Sequence, residues 1–283
     1  MLKLLFHAIL LILGLGTLEA MAGSLRPAGY ITGYELRGAD AKKGTVVVRD
    51  GKELAPQLLM PLYNNDSVFI RDEASRITLS LAQESNLVVS GKLMRKDIAG
   101  EMPSGDNGFD ILGQIAGILF DHGEDESLSV LVAKGSGEMK SPLAVHERNH
   151  VLRSGGPLLV SWVGGVGPFS VLVDMGQGGK PVPQAARQFE IEVAKIADSK
   201  FAVIVVDAHG QKLRIAFDIK ETTPKVPEEV KARDARGVVE AVWLASQQNG
   251  AWRFEAAREL RALPQDKVTG DLIAALEKGW QPK

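Results

Sequence analysis

A mainly β chain with a short helical tail is the fold class that the sequence predicts, and three observations carry the prediction. Apolar and polar residues alternate with a period of two in short runs such as Arg76 to Leu81, Phe189 to Val193 and Leu213 to Ile219, which puts every second side chain on one side of a strand. Asp, Asn and Gly punctuate these runs at turn positions, where they tolerate left-handed backbone. After Thr222-Thr223-Pro224 the apolar period lengthens to that of a helix. The expected architecture is a small β-rich N-terminal module, an antiparallel sandwich and a short C-terminal α-helical tail.

The first 22 residues read as an export segment. Met1-Leu2-Lys3 is a positive start, Leu4 to Leu15 is almost wholly apolar, and Ala20-Met21-Ala22 offers the small-x-small pattern of a cleavage site. Cleavage is expected after Ala22, with Ala20 as second choice. The alternative is a retained anchor, but a spanning helix needs about 20 apolar residues, and Gly14, Gly16, Thr17 and Glu19 end this run early.

The 283 residues contain no cysteine. Each domain must then be held by packing, and lipid-modified cysteine, thiolate nucleophile and cysteine-zinc cluster are all excluded. A periplasmic location fits these facts. The formal charge of -2, with Lys and Arg spread among Asp and Glu, points away from nucleic acid and from an anionic membrane surface. Contact with a membrane is expected only through the export segment if it stays uncut.

The block from 23 to 96 reads as short strands: Thr45 to Arg49, a turn at Asp50-Gly51, then Ser67 to Arg71, Arg76 to Leu81 and Asn86 to Ser90. Alternation points Ile77, Leu79 and Leu81 to one side, and Asn64-Asn65-Asp66 supplies the turn before Ser67. The run from Gly44 through Leu54, continuing from Pro61 to Leu81, resembles the FecR-type periplasmic domain. It departs at Ala82-Gln83-Glu84-Ser85, where such domains more often place Asp-Gly. The resemblance implies a β-rich periplasmic module that senses or binds another protein and carries no catalytic residue.

Residues 97–141 read as a linker with one helix, Phe109 to Phe120, packed against a sheet. An interfacial membrane helix wants a basic polar face, whereas Asp110, Asp121, Glu124 and Asp125 flank this one. The block 142–223 supplies five strands: Leu158 to Val163, Phe169 to Met175, Phe189 to Ile196, Phe201 to Asp207 and Lys212 to Lys220. Ala208-His209-Gly210-Gln211 joins the last two as a hairpin. The segments Leu159 to Val171 and Ala202 to Gly210 are similar to the strand pairs of immunoglobulin-like modules in bacterial surface proteins, with Trp162 in the place of a core tryptophan. That similarity implies a β-sandwich without the cysteine pair of antibody domains.

The tail, 224–283, reads as three helices. Pro227-Glu228-Glu229 opens the first with proline early and acids at the positive dipole end, Ala235, Val238, Val239, Val242 and Trp243 form its buried stripe, and Asn249-Gly250 stops it. Trp252 to Leu263 is the second, halted by Pro264, and Thr269 to Lys278 the third. Trp243, Trp252 and Trp280 are candidate partner-binding anchors, since aromatic side chains are enriched where proteins meet; the alternative is that they hold the helices together.

One motif carries chemical meaning. His146-Glu147-Arg148-Asn149-His150 matches H-E-x-x-H, in which a helix sets two imidazoles on zinc and a glutamate activates the bound water. Pro142 before it and Ser154-Gly155-Gly156-Pro157 after it leave little room for that helix, Arg148 charges its interior, and Arg153 stands where a metzincin glycine is required. The segment reads instead as a polar loop and edge strand. His122 and His209 read as solvated, Gly164-Gly165-Val166-Gly167 as a strand connection, and Asp72-Glu73 and Glu124-Asp125-Glu126 as solvated turns.

The function expected is that of a non-enzymatic periplasmic protein without a cofactor, acting through contacts with envelope proteins as a sensor or accessory subunit. The alternatives are a zinc hydrolase using His146, His150 and Glu147, and a carbohydrate-binding sandwich, for which aromatic residues are scarce.

Overall fold

The computed structural model describes residues 26–36, 44–101, 105, 107–120, 137–145, 148–176 and 179–282. The export segment, His122, the acidic run at 124–126 and, within the metal motif, His146 and Glu147 lie outside these residues. Among the described residues no helix is long and apolar enough to cross a membrane.

The N-terminal module is built from two four-stranded antiparallel sheets. One takes β1 (Gly29–Glu35), β4 (Pro61–Leu62), β6 (Arg76–Leu81) and β7 (Leu87–Ser90) in the order β4-β1-β6-β7. The other takes β2 (Thr45–Arg49), β3 (Lys52–Leu54), β5 (Ser67–Ile70) and β8 (Met94–Asp97) in the order β3-β2-β5-β8. Ile31, Val47, Leu62, Val68, Ile70, Ile77, Leu79, Val89 and Ile98 fill the space between them. The expected strands are present, and the face of β6 is as alternation predicts: Ile77 and Leu79 are buried, with Leu81 half-buried. Asp66 fixes the turn that precedes β5. Its buried carboxylate accepts from Arg49 Nε at 3.0 Å and Nη2 at 2.8 Å and from the Tyr63 N–H at 2.8 Å.

Helix α1 (Asn107–Phe120) follows. It buries Phe109, Ile111, Leu112, Ile115 and Ala116. Its neighbours are chiefly the C-terminal helices, not a sheet as the sequence suggested, because the tail folds back along it.

The second β block contains all five expected strands and two more. β11 (Phe169–Asp174), β12 (Val182–Gln184), β14 (Lys200–Val206), β15 (Lys212–Lys220) and β9 (His150–Arg153) make one sheet in the order β12-β11-β14-β15-β9, while β10 (Pro157–Ser161) pairs with β13 (Gln188–Glu192). Every pairing is antiparallel except β15 with β9.

The tail breaks its first helix in two, α2 (Glu228–Lys231) and α3 (Val238–Ser246), followed by α4 (Arg253–Ala262) and α5 (Lys267–Glu277). Asp234 causes the break: its carboxylate accepts from the N–H groups of Gly237, Val239 and Glu240 at 2.5, 3.0 and 3.2 Å, a cap that starts α3 afresh. Arg236 and Gly237 take left-handed backbone there, φ 58° and 83°. Helix α5 opens on a capping box between Asp266 and Thr269.

Residues from 97–141, 142–223 and 224–283 share one apolar core, joined by Tyr30, Leu58 and Leu59 of the N-terminal module. Phe254 of α4 lies edge-on to Phe217 of β15, ring centroids 5.0 Å apart. Trp243 and Trp252, expected as partner anchors, are 7% and 3% exposed within this core. Their stripes are needed to cover the sheet and α1, so these two rings are structural. Trp280 is half-buried against the same core.

Candidate binding groove at a sheet edge

The hairpin that leads into β15 is organised by Asp207. Its carboxylate accepts from the N–H groups of Val166, His209 and Gln211 at 3.0, 2.9 and 2.8 Å, and Gly210 takes φ 80°. Burial works against ionising this carboxyl, but the three donors outweigh it and hold its pKa below the ordinary range.

β9 pairs with only the second half of β15, from Phe217 opposite His150 to Lys220 opposite Arg153. From Lys212 to Ala216, β15 has β14 on one flank and, among the described residues, no strand on the other. The direction of the main chain follows from two hydrogen bonds. The Lys220 carbonyl accepts from the Ser154 N–H at 2.8 Å, on the β9 side, and the Ile219 N–H donates to the Ser199 carbonyl at 2.7 Å, on the β14 side. Since successive residues of a strand face opposite neighbours, Lys212 and Arg214 turn both N–H and C=O to the open side and Ala216 turns its N–H there, while the Ala216 carbonyl begins the ladder to His150. Among the described residues no backbone group meets those of Lys212 and Arg214 or the Ala216 N–H there.

Residues 140–145 and 148–150 stand off from this edge and leave a groove of about 270 Å³ beside it. Lys140 pairs with Val163, Ser141 accepts from the Ala144 N–H at 3.0 Å, and fully buried Leu143 pins the turn. Lys140, Arg148 and Arg214 line the groove, with exposed Lys212 next along β15. Lys140 pairs with Glu138 at 3.1 Å, whereas Arg148, Lys212 and Arg214 have no acidic partner among the described residues. At the far end Asn149 reaches Asp218 at 3.4 Å. Leu213 and Ile215 turn the opposite way, and Ile215 is buried.

The outer edge of β9, by contrast, is sealed by α4 and the turn that leads into it. Val151 N–H donates to the Ala251 carbonyl at 2.8 Å, and Arg153 N–H to fully buried Glu255 at 3.1 Å. Arg258 completes the seal, donating to Glu255 at 2.7 Å and to the Arg153 carbonyl at 2.9 Å.

His150, the described histidine of the metal motif, opens β9. Arg148 and Asn149 before it are not helical, so the spacing that would align two imidazoles on one helix face is not formed at this end. Its ring is 1% exposed and packs at 4.9 Å from Phe254 and 5.9 Å from Phe217. Burial, with Arg253 nearby, pulls its pKa down to about 4 despite a backbone hydrogen bond with Ala251. The ring is therefore a neutral core group. Arg253, itself 1% exposed and lowered to about 10 by burial, donates to the carbonyls of Leu276 and Trp280, both at 2.9 Å. Helix-terminal oxygens carry partial negative charge, and they serve this guanidinium in place of a carboxylate.

The sandwich alternative for sugar binding would need exposed rings, but Trp162 is 2% exposed and lies edge-on to Phe169 at 5.4 Å. Sequence reasoning singled out Arg148 only as a flaw in the metal motif and missed the groove. The available signal was Lys212-x-Arg214 on the polar alternates of β15. No protein-family model and no curated protein matches the chain.

Proposed function

We propose that this chain is a non-enzymatic, exported module of the bacterial envelope that binds another polypeptide at the open half of β15, as a sensory or accessory subunit. The half-sealed strand is the observation that carries the reading. A sheet edge with unpaired main-chain groups is a template for a further strand, and proteins cover such edges unless they use them. Here the neighbouring edge, β9, is covered by Ala251 and by Glu255 of α4, while among the described residues no strand covers Lys212 to Ala216. The FecR-type resemblance of the N-terminal module and the immunoglobulin-like resemblance of the second block both favour a periplasmic protein that works through protein contacts.

A photo-crosslinking amino acid at position 212 of the full chain in its native envelope tests this. The expected result is one discrete adduct that disappears in Ala216→Pro, since proline removes the N–H facing the groove and spares the ladder to β14. An adduct that persists in that variant, or forms equally from exposed position 192 on β13, overturns the reading. Export is checked by mass spectrometry of the recovered protein. A first residue of Gly23 or Met21 is expected, and an intact Met1 in the membrane fraction means an anchor instead.

A further inference from the structure

We infer that the groove takes an extended acidic segment of a partner protein, paired along β15 from Lys212 to Ala216 as an added strand. The inference rests on the reading above and names the partner's chemistry. The five positions from Lys212 to Ala216 span about 16 Å of strand, and three of them direct main-chain groups into the groove. Side chains alternate along the same stretch: Leu213 and Ile215 turn into the sheet's own core, leaving Lys212 and Arg214 on the outer face. An added strand therefore meets cations on β15 and, across the groove, Arg148 and Lys140.

Charge decides among possible occupants. Arg148, Lys212 and Arg214 are exposed and have no acidic partner among the described residues, so their fields fall on whatever lies between them. A second copy of the chain, pairing β15 edge to edge, would bring Lys212 and Arg214 against their own duplicates. Like charges directly opposed across strands are destabilising, and edge cations are a common device against self-pairing. A strand carrying Asp or Glu on the alternates that face this rim gains main-chain hydrogen bonds and complementary charge together.

The test uses the purified full chain and fluorescein-labelled ten-residue peptides in which Val alternates with Asp and Glu, with Lys, or with Ser, read by fluorescence anisotropy. The acidic peptide is expected to bind roughly tenfold or more tightly than the other two, and to weaken as salt rises from about 0.05 M to about 0.5 M. The double variant Arg148→Glu, Arg214→Glu should reverse the order of acidic and basic peptides without altering the melting curve. Ala216→Pro should abolish binding of all three.

If the three peptides bind alike and Ala216→Pro still stops them, strand addition stands and the acidic partner is wrong. If none binds to the folded chain, or if binding ignores both variants, the reading beneath the inference fails as well. Concentration-dependent dimers in sedimentation that the acidic peptide does not dissociate would assign the edge to a second copy and overturn the inference. Should Ala216→Pro not fold, the double charge variant alone decides, because both of its positions are exposed.

Discussion

Arg233 stacks its guanidinium 3.2 Å from the ring centroid of Phe109 while donating to Ser80 Oγ at 3.0 Å and to the Leu81 carbonyl at 3.3 Å. One side chain from the tail thus clamps α1 and the N-terminal sheet together. Charged groups buried with aromatic and hydrogen-bond partners contribute more than surface pairs. Arg233→Ala should lower unfolding free energy by about 2 to 3 kcal/mol, measured by urea denaturation. A change within about 0.5 kcal/mol, the range of an ordinary surface substitution, would mean the clamp holds nothing.

Stability should fall between pH 6.5 and pH 4 on account of His150. Its folded pKa, about 4, lies below the ordinary 6.5, so in this window the unfolded chain binds a proton that the folded chain refuses. The contribution is full above pH 6.5 and is lost as pH falls, reaching about 3 kcal/mol. Asp97 and Asp207, whose pKa values are lowered, lose their share at still lower pH. His150→Leu should flatten the slope between pH 6.5 and pH 5 in a series of denaturant titrations; an unchanged slope assigns it elsewhere.

Glu255 seals the β9 edge from a fully buried position. Glu255→Ala strands Arg258 and the Arg153 N–H together, and breaking a buried pair typically costs about 3 to 5 kcal/mol. Glu255→Gln keeps one acceptor oxygen, which at the position of Oε2 can serve both the Arg153 N–H and Arg258 Nη2, and should cost less. Equal melting temperatures for the two variants would contradict the role given to the carboxylate.

A chain ending at Thr223 should not fold. Without α4 the edge of β9 and the ring of Phe217 lose their cover, and α1 loses the helices it packs on. Light scattering and the absence of a cooperative melt are the expected signs; a soluble product with a sharp transition would show that the second β block closes alone and would restore the tail as a detachable docking element.

The alternating strands were legible because their pattern is local: β6, β13 and β15 each announce a buried face within a few residues. β9 was not. It has four residues and pairs in parallel with a strand nearly seventy positions later, so no turn residue marks the partnership, and His150 drew the eye to metal chemistry. The charged residues of α4 misled in a second way. Arg253 and Glu255 look like a solvated helix face, but Glu255 finds main-chain donors and Arg253 finds helix-terminal carbonyls, partners that periodicity does not reveal. The stripe of Ala235, Val238, Val239, Val242 and Trp243 did indicate burial, and the aromatic-anchor argument set that indication aside for Trp243 and Trp252. Asp234 and Gly237 carried the signature of a helix restart that the period alone passed over.

The seal on β9 also constrains how the chain comes into being. A polypeptide emerging N-terminus first completes β9 and β15 long before Ala251, Glu255 and Arg258 appear. Non-local pairing of this kind is slow and leaves strand edges uncovered in the meantime. Until Ala251, Glu255 and Arg258 arrive, the outer flank of β9 is adhesive, and the nascent protein needs either rapid delivery or an escort. Arg253 in turn waits for the carbonyl of Trp280, so a sheet whose strands are made earlier is locked only when residues well downstream of it have been added.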